Sequence, residues 1–275
     1  MTGLDAAGAV SQLITVLYRV DLKLLALAFL VYAFSLIIGS LRWSLASGIE
    51  VRVSNIMRLC ESLLVGVFVN NIITFYNITG EFGRILWASG RLKIDSSRLL
   101  VGALAERASE IPVALAYVFI IAPHGLKLAF LGSLQVRGLR DYSQGVLRAF
   151  KDLTSNPLKL LTLTALSLLI YVLDTIRIYV IGAAFGVNLT LTVALALTII
   201  HIISRFSLTP AGLGVLEGGF AGYMVISGYS LADITFVILG ERLVSTVVPT
   251  VVGGLIVARK GGLSMLKQAM GGVRG

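Results

Sequence analysis

Long apolar stretches alternate with short polar segments along this chain. Stretches of a length that crosses a bilayer, about 17–25 residues, lie near positions 22–41, 55–76, 97–122, 158–184, 190–208 and 232–257. Two shorter apolar segments, 80–92 and 212–229, are interrupted by glycine and charge, and each is expected to be a short span or a re-entrant helix. The pattern predicts an all-α, polytopic integral membrane helical bundle with six spans and two short interrupted or re-entrant helices.

The polar segments divide the chain. Residues 1–20 place leucine, valine and isoleucine at helical spacing, which predicts an amphipathic helix at the membrane interface. Residues 134–156 form a basic linker inside one transmembrane domain, 21–258, and separate its two halves, about 21–133 and 157–258.

Composition supports a membrane location. The chain is 57% hydrophobic and 13% charged, with a mean hydropathy of +0.93, so it would aggregate if released into water. The net charge of +9 comes mostly from basic residues beside apolar runs, including a basic tail at 259–275. Such residues face anionic lipid headgroups, so the expected partners are membrane lipids rather than nucleic acid. We expect a multi-pass protein of the cell membrane.

Cysteine and histidine are scarce. The single cysteine, Cys60, cannot form an intramolecular disulfide, and the two histidines, His124 and His201, are far apart in sequence. No Asp-x-x-Asp pair of the kind that holds a metal in lipid-modifying enzymes occurs. We therefore expect no metal, no cofactor and no catalytic residue.

Charged residues interrupt the apolar stretches themselves. They are Glu81 with Arg84, Glu106 and Arg107 with Glu110, Asp174 with Arg177, Glu241 with Arg242, and also Arg205 and Glu217. An ionised side chain at mid-bilayer costs about 2.5–3.5 kcal/mol on insertion scales, so such residues face each other, a cavity or the interface. Two interpretations remain open: these groups bind a lipid headgroup, or they form ion pairs that lock helices together.

The two halves resemble each other in their glutamates. Glu81 stands 25 residues before Glu106, and Glu217 stands 24 residues before Glu241. Broken helices at corresponding positions of two halves are typical of a transporter site near mid-membrane, so the pattern predicts an internal inverted repeat. If both short segments are re-entrant, the halves are inverted. If 212–229 spans fully, the basic linker and tail share one face, as the positive-inside rule prefers.

A glycine-rich segment ends the fifth apolar stretch. Pro210, Gly212 and Gly214 break the helix, and we expect chain reversal and close packing at Gly214. The next helix presents free N–H groups and a positive dipole end that could bind a phosphate. We expect Glu217 to complement that dipole or to pair with an arginine such as Arg205. The alternative is glycine packing between helices, with Glu217 as a helix cap.

Two further polar motifs lie on spanning helices. Arg42 and Trp43 follow the first apolar stretch and are predicted to anchor it at the interface. His201 and Arg205 are four residues apart and predict a polar stripe leading to the break at Pro210. A histidine in this position is either a structural group or a proton carrier.

Together these motifs resemble a known family, the lysylphosphatidylglycerol synthase transmembrane, or flippase-like, family. The resemblance rests on Arg42-Trp43, on Gly80-Glu81-x-x-Arg84, on Glu106-Arg107, and on the segment from Pro210 to Glu217 with Arg242 in the following helix. It covers residues 20 to 258 and implies an all-helical bundle that moves or accommodates lipid. The family has one more clear span after its Glu-Arg helix, where this chain has the short run Leu126–Val136. The soluble aminoacyl-transferase domain of some relatives is absent, so we do not expect this chain alone to synthesise an aminoacylated lipid.

The leading hypothesis is a membrane lipid transporter, or flippase, for a phospholipid or polyprenyl-type lipid. Its predicted substrate-binding residues are Glu81, Arg84, Glu106, Arg107, Arg205, Gly212, Gly214, Glu217 and Arg242. The alternatives are an integral-membrane lipid-modifying enzyme and a structural or assembly subunit. A second copy of the chain and a lipid-synthesising enzyme are the possible protein partners.

Overall fold

The computed structural model describes residues 20–72, 78–121, 151, 155–205 and 214–260, and these residues are helical apart from short connections. The first half contains α1 (Leu22–Ala46), α2 (Val53–Ile72), α3 (Ile78–Leu92) and α4 (Ser96–Ile121). The second half contains α5 (Pro157–Ala184), α6 (Leu191–Arg205), α7 (Val215–Ile226) and α8 (Leu231–Arg242), followed by a π-helical turn (Leu243–Val247) and α9 (Val248–Arg259). The all-α prediction is confirmed. The predicted interfacial helix at 1–20, most of the linker and the tail beyond 260 lie outside the described residues.

Short polar side chains fix where several helices begin. The Asp21 carboxylate accepts hydrogen bonds from the backbone N–H groups of Lys23 at 2.8 Å and Leu24 at 3.2 Å, which caps α1. Asn156 caps α5 by accepting from the Lys159 N–H at 3.1 Å. Each cap satisfies amide groups that the first helical turn would leave without a partner.

Three of the predicted spans are long and apolar enough to cross a membrane by length and composition: α1, α2 and α5. The other three predicted spans are helical but differ from a simple crossing. The helix α4 has 26 residues and carries charge along its middle. The described part of α6 has 15 residues, about 22 Å at the α-helical rise, and the end of this predicted span lies outside the described residues. The span predicted at 232–257 is divided by the π-helical turn into α8 and α9. The two short segments form α3 and α7, as predicted.

The described bundle exposes many apolar side chains and buries several charged ones among its apolar core residues. Large apolar side chains are exposed on the outside of several helices, including Leu30 and Phe34 on α1 and Leu161 on α5. Charged groups lie inside, including Glu106 and Arg177, which are almost fully buried. An apolar exterior around a polar interior is the arrangement that lipid favours, since unpaired charge is costly on the lipid face.

The first helices of the two halves, α1 and α5, pack against each other along their lengths. The Asp21 N–H at the start of α1 donates to the carbonyl of Ala184 at the end of α5, at 2.9 Å. At the opposite end, Lys159 Nζ donates to the carbonyl of Ala46 at 3.0 Å. Since the start of each helix meets the end of the other, the two helices run antiparallel.

The last helix of each half crosses to the second helix of the other half. A Cβ atom on Gly253 of α9 would lie 2.2 Å from the carbonyl oxygen of Leu64 on α2, so these two backbones are in close contact. Nearby, Asn71 Nδ2 donates to Thr250 Oγ1 at 2.8 Å. On the other side, Val113 of α4 packs with apolar side chains of α6 such as Ile199. The centre of the bundle is therefore enclosed by helices from both halves.

Candidate functional site

A cavity of about 320 Å³ lies between the two halves. It is lined by charged and titratable side chains from both halves, among them Arg42, Arg84, Glu106 and Arg107 from the first and Arg177, His201 and Arg242 from the second. A smaller pocket of about 270 Å³ adjoins it at Glu81 and shares Arg84 and Arg107 as lining residues. Five predicted site residues, namely Glu81, Arg84, Glu106, Arg107 and Arg242, thus line one or both of these spaces.

The remaining predicted site residues are placed differently. Glu217 is held against the cavity residue Arg242. Gly214 precedes the first turn of α7 and is exposed. The side chain of Arg205 and the whole of Gly212 lie outside the described residues, so their predicted roles stay predictions.

Arg42 reaches from α1 to two carboxylates on α4. Its Nε lies 3.2 Å from Glu106 Oε1, and its Nη2 donates to Glu110 Oε1 at 2.7 Å. Its Nη1 donates to the hydroxyl of Ser167 on α5 at 2.8 Å. The prediction that Arg42 and Trp43 anchor α1 at the interface is wrong, because both are buried and the Trp43 indole donates to a carbonyl of α4. Two carboxylates on a facing helix hold the guanidinium inside.

Arg84 and Arg107 complete a network with the carboxylates of the first half. Arg84 Nε donates to Glu81 Oε2 at 2.6 Å, and Arg84 Nη2 lies 3.0 Å from Glu106 Oε2. Arg107 donates to Glu110 Oε2 at 3.1 Å and also to Glu81. We call this set of six the first cluster: Arg42, Glu81, Arg84, Glu106, Arg107 and Glu110. It contains three guanidinium groups and three carboxylates, so its charges balance.

The first cluster combines the two interpretations that the sequence left open. Its ion pairs join α1, α3 and α4, which is the helix-locking role. Its side chains also line the cavity, where a polar ligand would meet them. Arg42 and Glu106 are almost fully buried, whereas the Arg107 side chain is 25% exposed, so the network has a dry end and an accessible end.

Arg177 of α5 is the centre of another group of buried charged side chains, in the second half. Arg177 Nη1 donates to Asp174 Oδ1 at 2.7 Å, while its Nη2 and Nε donate to the two oxygens of Glu241 at 2.8 and 3.3 Å. His201 Nδ1 of α6 lies 3.2 Å from Glu241 Oε1. The guanidinium also lies over the Tyr32 ring, 5.5 Å from its centroid. Together with Glu217 and Arg242, the residues Asp174, Arg177, His201 and Glu241 form the second cluster.

Glu217 uses its two carboxylate oxygens for different tasks. Oε1 accepts from Arg242 Nε at 2.7 Å and lies 2.6 Å from Arg242 Nη2. Oε2 accepts from the backbone N–H of Gly214 at 2.8 Å, at the start of α7. Glu217 thus lies in the first turn of α7 and caps the helix, which the sequence offered as the alternative, and Arg242 is its arginine partner among the described residues. In this conformation the glutamate itself occupies the place where we predicted a phosphate.

Gly214 is required for a reason other than close packing. Its φ is +83°, a backbone conformation that residues with a Cβ rarely adopt, and an added Cβ would meet no atom of the described residues within 4 Å. The expected close packing at this residue is not found among the described residues. It occurs five residues later, at Gly219, where an added Cβ would lie 2.4 Å from Ile200 Cγ2.

The two clusters repeat one pattern of ion pairs. Arg42 and Glu106 are separated by 64 residues, and so are Arg177 and Glu241. The arginine of each Glu-Arg pair also bonds the glutamate of the short helix. These two pairs, Arg107 with Glu81 and Arg242 with Glu217, span 26 and 25 residues. Sequence reasoning did not include Arg42 or Arg177 in the site. Extending the glutamate comparison upstream would have found both, since each stands at the same distance before a Glu-Arg pair.

Among the residues that the structure describes, no group of three or more histidine, cysteine, aspartate or glutamate side chains could hold a metal ion. The acidic side chains named above instead face guanidinium groups. The arrangement suits the binding of a charged or zwitterionic group by exchange of ion-pair partners rather than metal chemistry.

An apolar exterior, several apolar helices and a charged interior define a multi-pass helical membrane protein. The family model described as "Lysylphosphatidylglycerol synthase TM region" matches residues 127–253, and this is the family that the sequence motifs resemble.

Two relatives extend the similarity over most of the chain. A "UPF0104 membrane protein PH1989" from Pyrococcus horikoshii is 21% identical over 305 residues, covering 91% of this chain and 91% of that protein. A "UPF0104 membrane protein" from Methanothermobacter thermautotrophicus is 21% identical over 296 residues, covering 89% of this chain and 86% of that protein. No solved structure matches the chain significantly.

Proposed function

We propose that this protein is a lipid transporter of the cell membrane that moves a phospholipid or polyprenyl-type headgroup through the cavity between its halves. The single observation that carries the proposal is the charged cavity of about 320 Å³ inside an apolar bundle. Its volume is at the lower end of the range of small-molecule sites, about 300–1,000 Å³. The acyl chains would remain in the surrounding lipid, which the apolar exterior of the bundle matches.

The accessible arginines supply a way to bind the headgroup. Arg107 of the first cluster pairs with Glu81, Arg242 of the second cluster pairs with Glu217, and both arginine side chains are partly exposed. A phosphate can replace a carboxylate on an arginine because both accept two parallel N–H hydrogen bonds. Each arginine thus exchanges one anionic partner for another. The displaced Glu81 keeps its pair with Arg84, and the displaced Glu217 keeps its hydrogen bond from the Gly214 N–H and is partly exposed.

The repeated pattern of ion pairs supports movement across the bilayer. The first helices of the halves, α1 and α5, run antiparallel, and each contributes the arginine that holds the buried glutamate of its own half. We infer an inverted repeat from this combination. In transporters with inverted repeats, the site lies at the repeat interface and opens alternately to the two sides.

The proposal is tested with the purified full-length chain in liposomes. Fluorescent phosphatidylglycerol is a suitable first probe, because the family's description names a lipid of this type. Exposure of the probe to a membrane-impermeant quencher measures its movement between leaflets. We expect the protein to raise this rate above that of protein-free liposomes, and the variants Arg107→Gln and Arg242→Gln to lower it.

A matched control uses an ion pair outside the cavity. Arg52 and Glu50 form an exposed pair at 2.7 Å, with side chains 66% and 64% exposed. The variant Arg52→Gln removes the same charge and is expected to keep wild-type transport. Equal rates with and without protein, for the lipids that co-purify with it as well as for the probe, would refute the proposal.

The same sample separates the alternatives. We propose that the chain is not an enzyme. It acts on membrane lipids as a single chain, as a homo-oligomer or together with a lipid-synthesising enzyme. Thin-layer chromatography of the liposome lipids would reveal a modified product if the chain were an enzyme. Absence of transport and of product, with Arg107→Gln and Arg242→Gln altering only the melting temperature, would favour a structural subunit.

A further inference from the structure

The buried glutamates of the two clusters face different kinds of basic group. Glu106 faces two guanidinium groups, those of Arg42 at 3.2 Å and Arg84 at 3.0 Å. Among the described side chains, Glu241 faces one guanidinium group, that of Arg177 at 2.8 Å, and the imidazole of His201 at 3.2 Å. Within the described residues, the buried glutamate of the first half therefore has two permanent cations, whereas that of the second half has one permanent cation and one group that can lose its charge.

The short helices explain why no second arginine reaches Glu241 from α7. Arg84 stands one turn after Glu81 on α3, but the residue one turn after Glu217 on α7 is Phe220, which is buried. The helix α7 contains no lysine or arginine at all. The cation that α3 supplies to the first cluster thus has no counterpart on α7.

The second helices of the two halves, α2 and α6, differ at one corresponding position. Gly66 on α2 precedes Glu106 by the same number of residues as His201 on α6 precedes Glu241. At Gly66 an added Cβ would lie 2.9 Å from the carbonyl oxygen of Gly80, so α2 has no room for a side chain there. In the second half the same position carries the imidazole. His201 therefore takes the role on its glutamate that Arg84 has in the first half.

We propose that His201, held against Glu241, is the proton-binding site of this protein and couples proton uptake to lipid movement, a role that rests on the proposed transport function. Histidine is the side chain that gains and loses a proton between about pH 5 and 8. One proton binds reversibly to the imidazole from water in the cavity, which His201 lines. No bond other than the N–H bond forms or breaks.

The charge of the surroundings gives the direction of the effect. The titratable and charged groups around His201 are Glu241 and Arg242 on α8, Asp174 and Arg177 on α5, Tyr32 on α1 and, one turn along α6, Arg205, whose side chain lies outside the described residues. The first cluster lies across the cavity and is balanced. Among the described side chains of the second cluster, three carboxylates face two guanidinium groups when His201 is neutral. Protonation of His201 balances them.

A balanced cavity admits an anionic headgroup more easily than a negative one, because like charges repel strongly where water is scarce. Lipid movement is therefore expected to be faster at the acidic end of the histidine range. An anionic probe such as phosphatidylglycerol should show the effect more strongly than a zwitterionic lipid.

The first measurement reads protonation directly and needs no transport. The chain has two histidines, so imidazole-labelled protein gives two ring signals by NMR, and the variant His124→Gln leaves only that of His201. We expect this signal to titrate reversibly between about pH 5 and 8 in folded protein. A His201 signal that stays constant over this range would overturn the proposal.

The second measurement follows movement of fluorescent phosphatidylglycerol in liposomes across the same pH range. Wild type and His124→Gln are expected to be several-fold faster at the acidic end, whereas His201→Gln and His201→Arg are expected to have flat profiles. Transport that is independent of pH in the wild type would overturn the coupling and leave the proposed function intact. A titrating His201 without any lipid movement would refute the proposed transport but support the proton site. Should His201→Gln fail to fold, His201→Arg and the NMR titration of wild type remain.

Discussion

Arg42 and Glu106 lie 64 residues apart in sequence, and Arg42 Nε approaches Glu106 Oε1 to 3.2 Å inside the bundle. Their counterparts in the second half, Arg177 and Glu241, have the same separation and a closest approach of 2.8 Å. In both halves the arginine comes from the first helix and the glutamate from the helix after the short one. The two pairs thus fix the same helices in each half and place both clusters against one cavity.

We expect Arg42→Met to destabilise the protein strongly. The change leaves Glu106 and Glu110 buried with one partner fewer each, and breaking a buried pair typically costs about 3–5 kcal/mol. Thermal unfolding in detergent measures the effect. Arg52→Met removes an exposed arginine from its pair with Glu50 and should change the melting temperature little. Similar melting temperatures for both variants would contradict the buried network.

We expect Glu217→Gln to impair lipid movement more than folding. The amide keeps the shape and one oxygen for the Gly214 N–H, but it removes the charge that holds Arg242. Because the Glu217 side chain is 32% exposed, the loss of this ion pair should cost little stability. Transport in liposomes and melting temperature, measured on the same sample, distinguish the roles. An active protein with a lowered melting temperature would make this carboxylate structural.

Glu81→Gln and Arg107→Gln should be non-additive, because the two side chains bond each other and share the first cluster. Residues in one such network typically show an interaction energy of about 0.5–3 kcal/mol. The double variant should therefore lose less stability than the sum of the single variants. Strict additivity of the unfolding free energies in a chemical denaturation series would argue against a shared network.

We expect Gly253→Ala to destabilise the contact between α9 and α2, since the added Cβ would lie 2.2 Å from the Leu64 carbonyl oxygen. Overpacking of this kind costs about 1–3 kcal/mol. Gly222→Ala on α7 is the matched control, because its Cβ would meet no atom within 4 Å. That substitution should be neutral or slightly stabilising, given the better helix propensity of alanine. Equal melting temperatures would contradict the close approach of the two helices.

Gly214→Ala is expected to cost about 1–2 kcal/mol through its backbone alone, because a φ of +83° is unfavourable for a residue with a Cβ. Gly218→Ala provides the comparison: it lies in α7, also has no atom within 4 Å of an added Cβ, and has an ordinary helical φ. Only the first variant should lower the melting temperature. A loss of stability at both positions would indicate packing rather than backbone strain.

The sequence by itself determined the helices and the presence of charge among them. Apolar stretches of spanning length and the glycine and proline breaks are local properties of the chain, so they predicted α1 to α5 closely. The same local signals predicted α3 and α7 as short helices. The pairs Glu81 with Arg84 and Asp174 with Arg177 also follow from sequence, because residues three apart are neighbours on a helix.

Only the tertiary structure decided which charges meet across helices. Glu241 and Arg242 are adjacent in sequence, yet Glu241 turns to Arg177 and His201 while Arg242 turns to Glu217. Consecutive side chains point about 100° apart around a helix, so neighbours in sequence belong to different interfaces. The environment of Arg42 could not be predicted from sequence either. An arginine at the end of an apolar stretch has the same local sequence pattern whether it faces water or the carboxylates of a facing helix. The ion pairs Arg42 with Glu106 and Arg177 with Glu241 depend on packing between helices 64 residues apart, so the local sequence pattern around each residue does not predict them.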